Sequence, residues 1–126
     1  MQKKEIYYHR GCAYLANLPY LGPDIPCGIR PIIILQNEIG NIYSPNVTYV
    51  PITSKAKNNG QNTHYILKDI PWLRQNSVAL CENLNSIQKE VVLRFLGRLT
   101  KEQMEGIDQA VANQIGIRIP DAVEAP

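Results

Sequence analysis

The chain has 126 residues, 44% of them apolar and 19% charged, and carries a formal net charge of +2. That length fits a single domain, and the apolar share excludes wholesale disorder. The longest pure aliphatic run, Ile32–Leu35, falls far short of the roughly 20 apolar residues of a membrane span.

The first ten residues contain no apolar stretch of signal-peptide length. Cys12, Cys27 and Cys81 are odd in number and widely spaced, so they offer neither a disulfide framework nor a CxxC metal knuckle. Free thiols in a reducing cytoplasm are expected. Charge is unevenly spread: residues 1–100 hold 11 Lys or Arg against 6 Asp or Glu, and residues 101–126 hold 2 against 5. A mildly basic body suits a polyanionic partner but does not demand one.

In chain order, residues 1–9 read as a charged arm with two surface tyrosines, residues 10–117 as the folded domain and residues 118–126 as a flexible tail. Cys12–Leu18 is strand-like and stops at Pro19. The stretch from Pro19 to Gly28 carries too many prolines and glycines for a helix and forms a long structured loop. Ile32–Leu35, bounded by Pro31 and Gln36, has the signature of a strand buried on both faces. Residues 37–46 hold Gly40, Asn41, Ser44 and Pro45 and read as a turn region.

Thr48–Thr53 alternates with period two. Pro51 cannot donate to a ladder, which predicts an edge strand or a bulge there. Residues 54–62 are polar and loop-like, and strands are predicted over Thr63–Leu67, Ser77–Leu84 and Val91–Leu99. One helix is well signalled. Thr100 and Gln103 form a capping box, Met104, Ile107, Val111 and Ile115 mark one face as core or dimer surface, and Gly116 can end it. Several short strands, long polar loops and a closing helix predict a mainly β protein built on a small, strongly curved sheet or barrel.

Nucleotide-cradling glycine motifs, a GxSxG elbow and metal-ligand spacings are absent, and His9 and His64 stand isolated. What remains is a set of polar residues at strand ends: Arg30, Thr53, Ser54, His64, Glu82 and Asn83. Glu82 could pair with Arg94 or Arg98 across the sheet, and Arg30 could be a structural ion-pair residue.

The segment Gly28-Ile-Arg-Pro-Ile-Ile-Ile-Leu-Gln-Asn-Glu-Ile-Gly-Asn-Ile-Tyr-Ser-Pro45, continued by Val50-Pro-Ile-Thr-Ser54, resembles the MazF/PemK family of toxin endoribonucleases. Arg10-Gly11, Thr63-His64, Ser77-Val78, Glu82-Asn83 and Gly97-Arg-Leu-Thr100 follow in family order, so the resemblance covers about residues 10–117. It implies an SH3-like barrel with a C-terminal helix, acting as a homodimer in the cytoplasm without a cofactor and off the membrane. It further implies metal-independent cleavage of single-stranded RNA to 2′,3′-cyclic phosphate and 5′-hydroxyl ends, with silencing by a cognate antitoxin.

By that resemblance the catalytic pair falls on Arg30 and Thr53. Arg30 would stabilise charge on the phosphorane oxygens and pass a proton to the departing 5′-oxygen, while Thr53 would add a neutral donor. RNA reading falls to Tyr20 and Asp24 in the 19–27 loop, Ser54, Lys55 and Lys57 in the next loop, and His64, Glu82 and Asn83. Tyr20 would stack a base, Glu82 would accept from exocyclic amines and the lysines would hold phosphates. His64 also stands as a secondary catalytic acid.

Two departures leave the general base unassigned. The family's loop glutamate is replaced by Ile25 within Pro23-Asp-Ile-Pro-Cys-Gly28, beside Asp24. A frequent second arginine is replaced by Asn85 within Asn83-Leu-Asn-Ser86. The same fold also serves toxins that bind DNA gyrase without nuclease chemistry, and a third possibility is a degenerate module that binds only its partner.

Overall fold

The computed structural model of the chain describes residues 5–56 and 61–120. Seven strands form one antiparallel sheet: β1 (Cys12–Leu18), β2 (Gly28–Ile34), β3 (Asn46–Thr53), β4 (His64–Leu67), β5 (Ser77–Leu80), β6 (Asn85–Gln88) and β7 (Val92–Arg98). Helix α1 (Glu38–Tyr43) joins β2 to β3, and α2 (Lys101–Ile115) follows β7. The main path runs β4-β5-β3-β2-β1-β7, and β6 pairs with the other half of β3. No ladder joins β7 to β4 among the described residues, so the expected mainly β, SH3-like architecture is a strongly curved sheet rather than a closed barrel. Register shifts between Ala13 and Tyr14 and between Leu15 and Ala16, where β1 meets β7, supply part of that curvature. Among the described residues no helix is long and apolar enough to cross a membrane.

Both faces of the central strands are covered, so side-chain alternation sorts one sequence into two cores. Ala13, Ile33, Leu35, Val50 and Ile52 join Leu67, Ala79, Cys81, Leu99 and Ile107 in the core beneath α2. Tyr14, Ala16, Ile32, Ile34 and Tyr49 face the other way, with Val47, Ile87 and Val92. The doubly buried run at Ile32–Leu35 is therefore as the composition predicts. On α2, Ile107 is fully buried and Met104 and Val111 pack against the first core, but Ile115 is exposed. The Thr100–Gln103 capping box is formed in both directions and Gly116 closes the helix at φ 76°.

Pro51 departs from the sequence expectation, because it lies fully buried in the middle of the sheet. Leu35 N–H donates to Thr48 O at 2.9 Å, so even-numbered residues of β3 turn their backbone groups to β2 and Pro51 turns its nitrogen outward. That outer edge changes partner at the proline: residues 46–49 pair with β6, and residues 52–53 with β5. A residue without a donor falls where no ladder bond is required. The predicted strand 77–84 is correspondingly split, its second half forming a 3-10 turn (Cys81–Asn83) that carries the chain from β5 to β6.

The described part of the arm, residues 5–9, is anchored to the sheet. Tyr14 Oη donates to the Tyr7 carbonyl at 2.6 Å, and Tyr8 tilts against the Tyr14 ring while donating to Lys89 O, so Tyr8 is not a surface residue. At the other end of the sheet the Trp72 indole lies directly on the Gly97 backbone, where a methyl group would collide with the ring. Gly97→Ala should cost about 1–3 kcal/mol by overpacking, read as a lower urea midpoint with an unchanged slope.

Candidate active site

The start of β2 and the end of β3 border a polar cleft. The β2–β3 register pairs Ile32 with Pro51, and carrying it two residues further sets Arg30 opposite Thr53 on the same face. Both side chains line a cleft of about 480 Å³ together with Asp24, Lys55, His64 and Glu82. Rigid ladders on both sides fix these backbones, since Arg30 is also paired with Ala16 of β1 and Thr53 with Val78 of β5.

Arg30 Nε donates to the Cys27 carbonyl at 3.0 Å, which ties the guanidinium to the 19–27 loop. Among the described residues no carboxylate forms an ion pair with Arg30. Its terminal amino groups are therefore not spent on a structural ion pair, the alternative raised by the sequence. Thr53 Oγ1 accepts from the Lys55 backbone N–H at 3.2 Å, so its hydroxyl proton remains to donate.

His64 and Glu82 meet although 18 residues separate them. The β4–β5 register sets His64 beside Leu80, and the 3-10 turn then brings Glu82 back over the strand. His64 Nε2 lies 2.6 Å from Glu82 Oε2, with the two side chains 11% and 30% exposed. Glu82 thus pairs with His64 and not with Arg94 or Arg98. A carboxylate bound to one imidazole nitrogen selects the tautomer and leaves the other nitrogen as an acceptor. Glu82 Oε1 is buried and has no hydrogen-bond partner among the described residues.

Other sequence candidates are less tightly gathered. Ser54 lies beside the pair on its other side, with Arg74 and Arg94, which the sequence reading did not assign to the site. Tyr20 stands on the loop, 71% exposed, and lies outside the cleft lining; Asn83, half-buried in the 3-10 turn, also lies outside it. Lys57 lies outside the described residues. Among those described, no group of three His, Cys, Asp or Glu side chains is arranged to hold a metal ion.

Cys27 lines the same cleft, half-buried, whereas Cys12 and Cys81 are buried in the two cores. Burial pushes the Cys81 thiol up to about 12 and raises that of Cys12, which suppresses their thiolates at neutral pH. Ellman's reagent should therefore titrate one thiol quickly in the folded protein. Cys27→Ser should remove that fast phase.

Fold and cleft together define a small curved-sheet protein whose polar cleft mixes Arg30, Lys55 and His64 with Asp24 and Glu82. The family model for PemK-like, MazF-like toxins of type II toxin–antitoxin systems matches residues 9–115, and the chain belongs to that family. It is 31% identical over 109 residues to the endoribonuclease MazF of Staphylococcus saprophyticus, covering 86% of this chain and 91% of the relative. It is similar to the solved Mycobacterium tuberculosis toxin MazF-mt6 at 27% identity and a TM-score of 0.72, over 86% of this chain and 99% of that one. A mycobacterial endoribonuclease solved with its cognate antitoxin shares the fold at 23% identity and a TM-score of 0.72, over 88% and 97% of the chains.

Proposed function

We propose that this chain is the toxin of a type II toxin–antitoxin pair and acts as a metal-independent endoribonuclease on single-stranded RNA. The observation that carries the reading is the meeting of Arg30, Thr53 and the His64–Glu82 pair in one cleft, with Arg30 unclaimed by any described carboxylate. The name and sequence of the staphylococcal relative support the same reaction class. The toxin works as a homodimer in the cytoplasm, and an antitoxin like that of the mycobacterial relative silences it.

In this mechanism the ribose 2′-oxygen attacks the adjacent phosphorus in line with the departing 5′-oxygen. The free nitrogen of His64, oriented by Glu82, takes the 2′-hydroxyl proton. The O2′–P bond forms as the P–O5′ bond breaks, giving a 2′,3′-cyclic phosphate and a 5′-oxygen that leaves as a hydroxyl after protonation by water. Negative charge grows on the phosphorane oxygens during this passage. Arg30 meets it with a planar fork of donors that keeps its charge at neutral pH, and Thr53 adds a neutral donor. One such preorganised donor contributes roughly 3–4 kcal/mol to lowering the barrier. The positive charge that phosphoryl chemistry needs is thus supplied by a side chain.

Incubating purified protein with single-stranded RNA in excess EDTA tests the reading. Cleavage at a short recurring sequence is the expected result. Intact RNA together with inhibited DNA gyrase supercoiling would instead identify a toxin that binds a protein target.

A further inference from the structure

We propose that the face of the Arg30–Thr53 pair opposite His64 and Glu82 is a phosphate-holding groove, in which Arg74 and Arg94 carry the RNA backbone beyond the scissile bond. The proposal rests on the nuclease reading and adds the path of the substrate. Arg30 and Thr53 line two clefts, each of about 480 Å³. The two differ in charge. The first mixes Arg30, Lys55 and His64 with Asp24 and Glu82, whereas the second presents Arg30, Arg74 and Arg94 with no carboxylate in its lining.

That asymmetry matches two tasks in reading a nucleic acid. Carboxylates accept from the amino groups of bases and repel phosphates, so the first cleft is suited to bases. Guanidinium forks without acidic neighbours are suited to phosphates, which position a strand without reading it.

The second cleft also sets its arginines beside apolar side chains. Arg94 stands on β7 opposite Leu15 of β1, and Arg74 stands on the loop between β4 and β5. Leu15, Trp72, Leu73 and Leu96 line the same cleft, and the Trp72 indole is wedged on the Gly97 backbone, which braces that loop. Neither arginine forms an ion pair among the described residues. A strand with its reacting phosphate at Arg30 and Thr53 sits on the boundary between the clefts. Its nucleotides on one side then enter the mixed cleft, and its phosphates on the other side reach Arg74 and Arg94. The second arginine missing from the segment 83–86 is thereby replaced from other elements.

The test uses the full chain and a single-stranded RNA containing the cleaved sequence, made uncleavable by a 2′-deoxy sugar at the scissile position. Arg74 and Arg94 are exposed, so Arg74→Ala/Arg94→Ala keeps the fold. The double variant should bind this RNA with a salt slope shallower by about 1.4, given about 0.7 per lost phosphate contact on a single strand. On cleavable RNA it should raise KM at least about tenfold with kcat unchanged. Trimming the RNA from one end, and not from the other, should abolish the difference between variant and parent. Lys101→Ala on the exposed start of α2 should leave the slope unchanged.

A slope and KM equal to the parent's would overturn the proposal, and so would a penalty indifferent to trimming. Unaltered RNA binding with weakened antitoxin inhibition would assign the groove to an acidic protein segment instead. A parent protein that shows the arginine-dependent slope yet leaves all-ribose RNA uncut would sink the nuclease reading and spare the groove.

Discussion

Arg30→Ala is expected to leave a folded protein that cleaves single-stranded RNA about 10³–10⁵-fold more slowly, the range seen when an arginine serving a phosphoryl transition state is removed. The fold should survive because the side chain is half-exposed at a strand end and, among the described residues, holds only the Cys27 carbonyl. The loss should fall on kcat more than on KM, since the fork matches charge that develops only during reaction. Arg30→Lys should recover only part of the rate. Lysine restores a point charge but not two parallel donors, and it cannot reproduce the Nε bond that fixes the side chain's direction. Single-turnover kinetics with circular dichroism as the fold control checks both variants. An Arg30→Ala protein with parental kcat would return this residue to the structural role raised by its sequence context.

The next largest effect is expected at His64. His64→Ala should lower kcat about 10²–10⁴-fold, the usual contribution of a positioned proton acceptor. Added imidazole should restore part of the lost rate by occupying the vacated space in the cleft. Glu82→Gln should lower the rate less and distort the pH profile, because the amide can still touch the ring but no longer selects its tautomer as the carboxylate does. A residue that merely braces β4 against the 3-10 turn would lower stability without imidazole rescue. The rescue experiment therefore separates a proton acceptor from a strut.

Much of this arrangement was legible in the sequence because its determinants are local. The Thr100–Gln103 cap, the apolar face ending at Gly116 and the aliphatic run at Ile32–Leu35 each specify an element within a few residues. Arg30 and Thr53 were legible for another reason, since they stand inside a long ordered resemblance and sit at strand ends.

Helix α1 was hidden because Asn37, Gly40 and Asn41 compose a turn. It is held by the Asn37 side chain accepting from Gly40 N–H, and by Asn41 and Lys89 bonding across to Gln36 O and Asn41 O. Strand β6 was hidden because Asn85-Ser-Ile-Gln has no strand signal beyond Ile87. Its conformation comes from pairing with residues 46–49 of β3. The His64–Glu82 pair and the arginine groove are likewise products of tertiary pairing, joining segments whose spacing along the chain carries no motif.

In the proposed mechanism the ribose hydroxyl of the substrate, oriented among Arg30, Thr53 and His64, is the nucleophile. Mass analysis of the RNA ends formed by purified protein in excess EDTA, with all-ribose and singly 2′-deoxy substrates compared, tests it most directly. The expected result is 2′,3′-cyclic phosphate and 5′-hydroxyl ends from the ribose substrate and no cleavage where the 2′-hydroxyl is missing. Ends carrying 5′-phosphate and 3′-hydroxyl, or cleavage indifferent to the 2′-deoxy substitution, would contradict it.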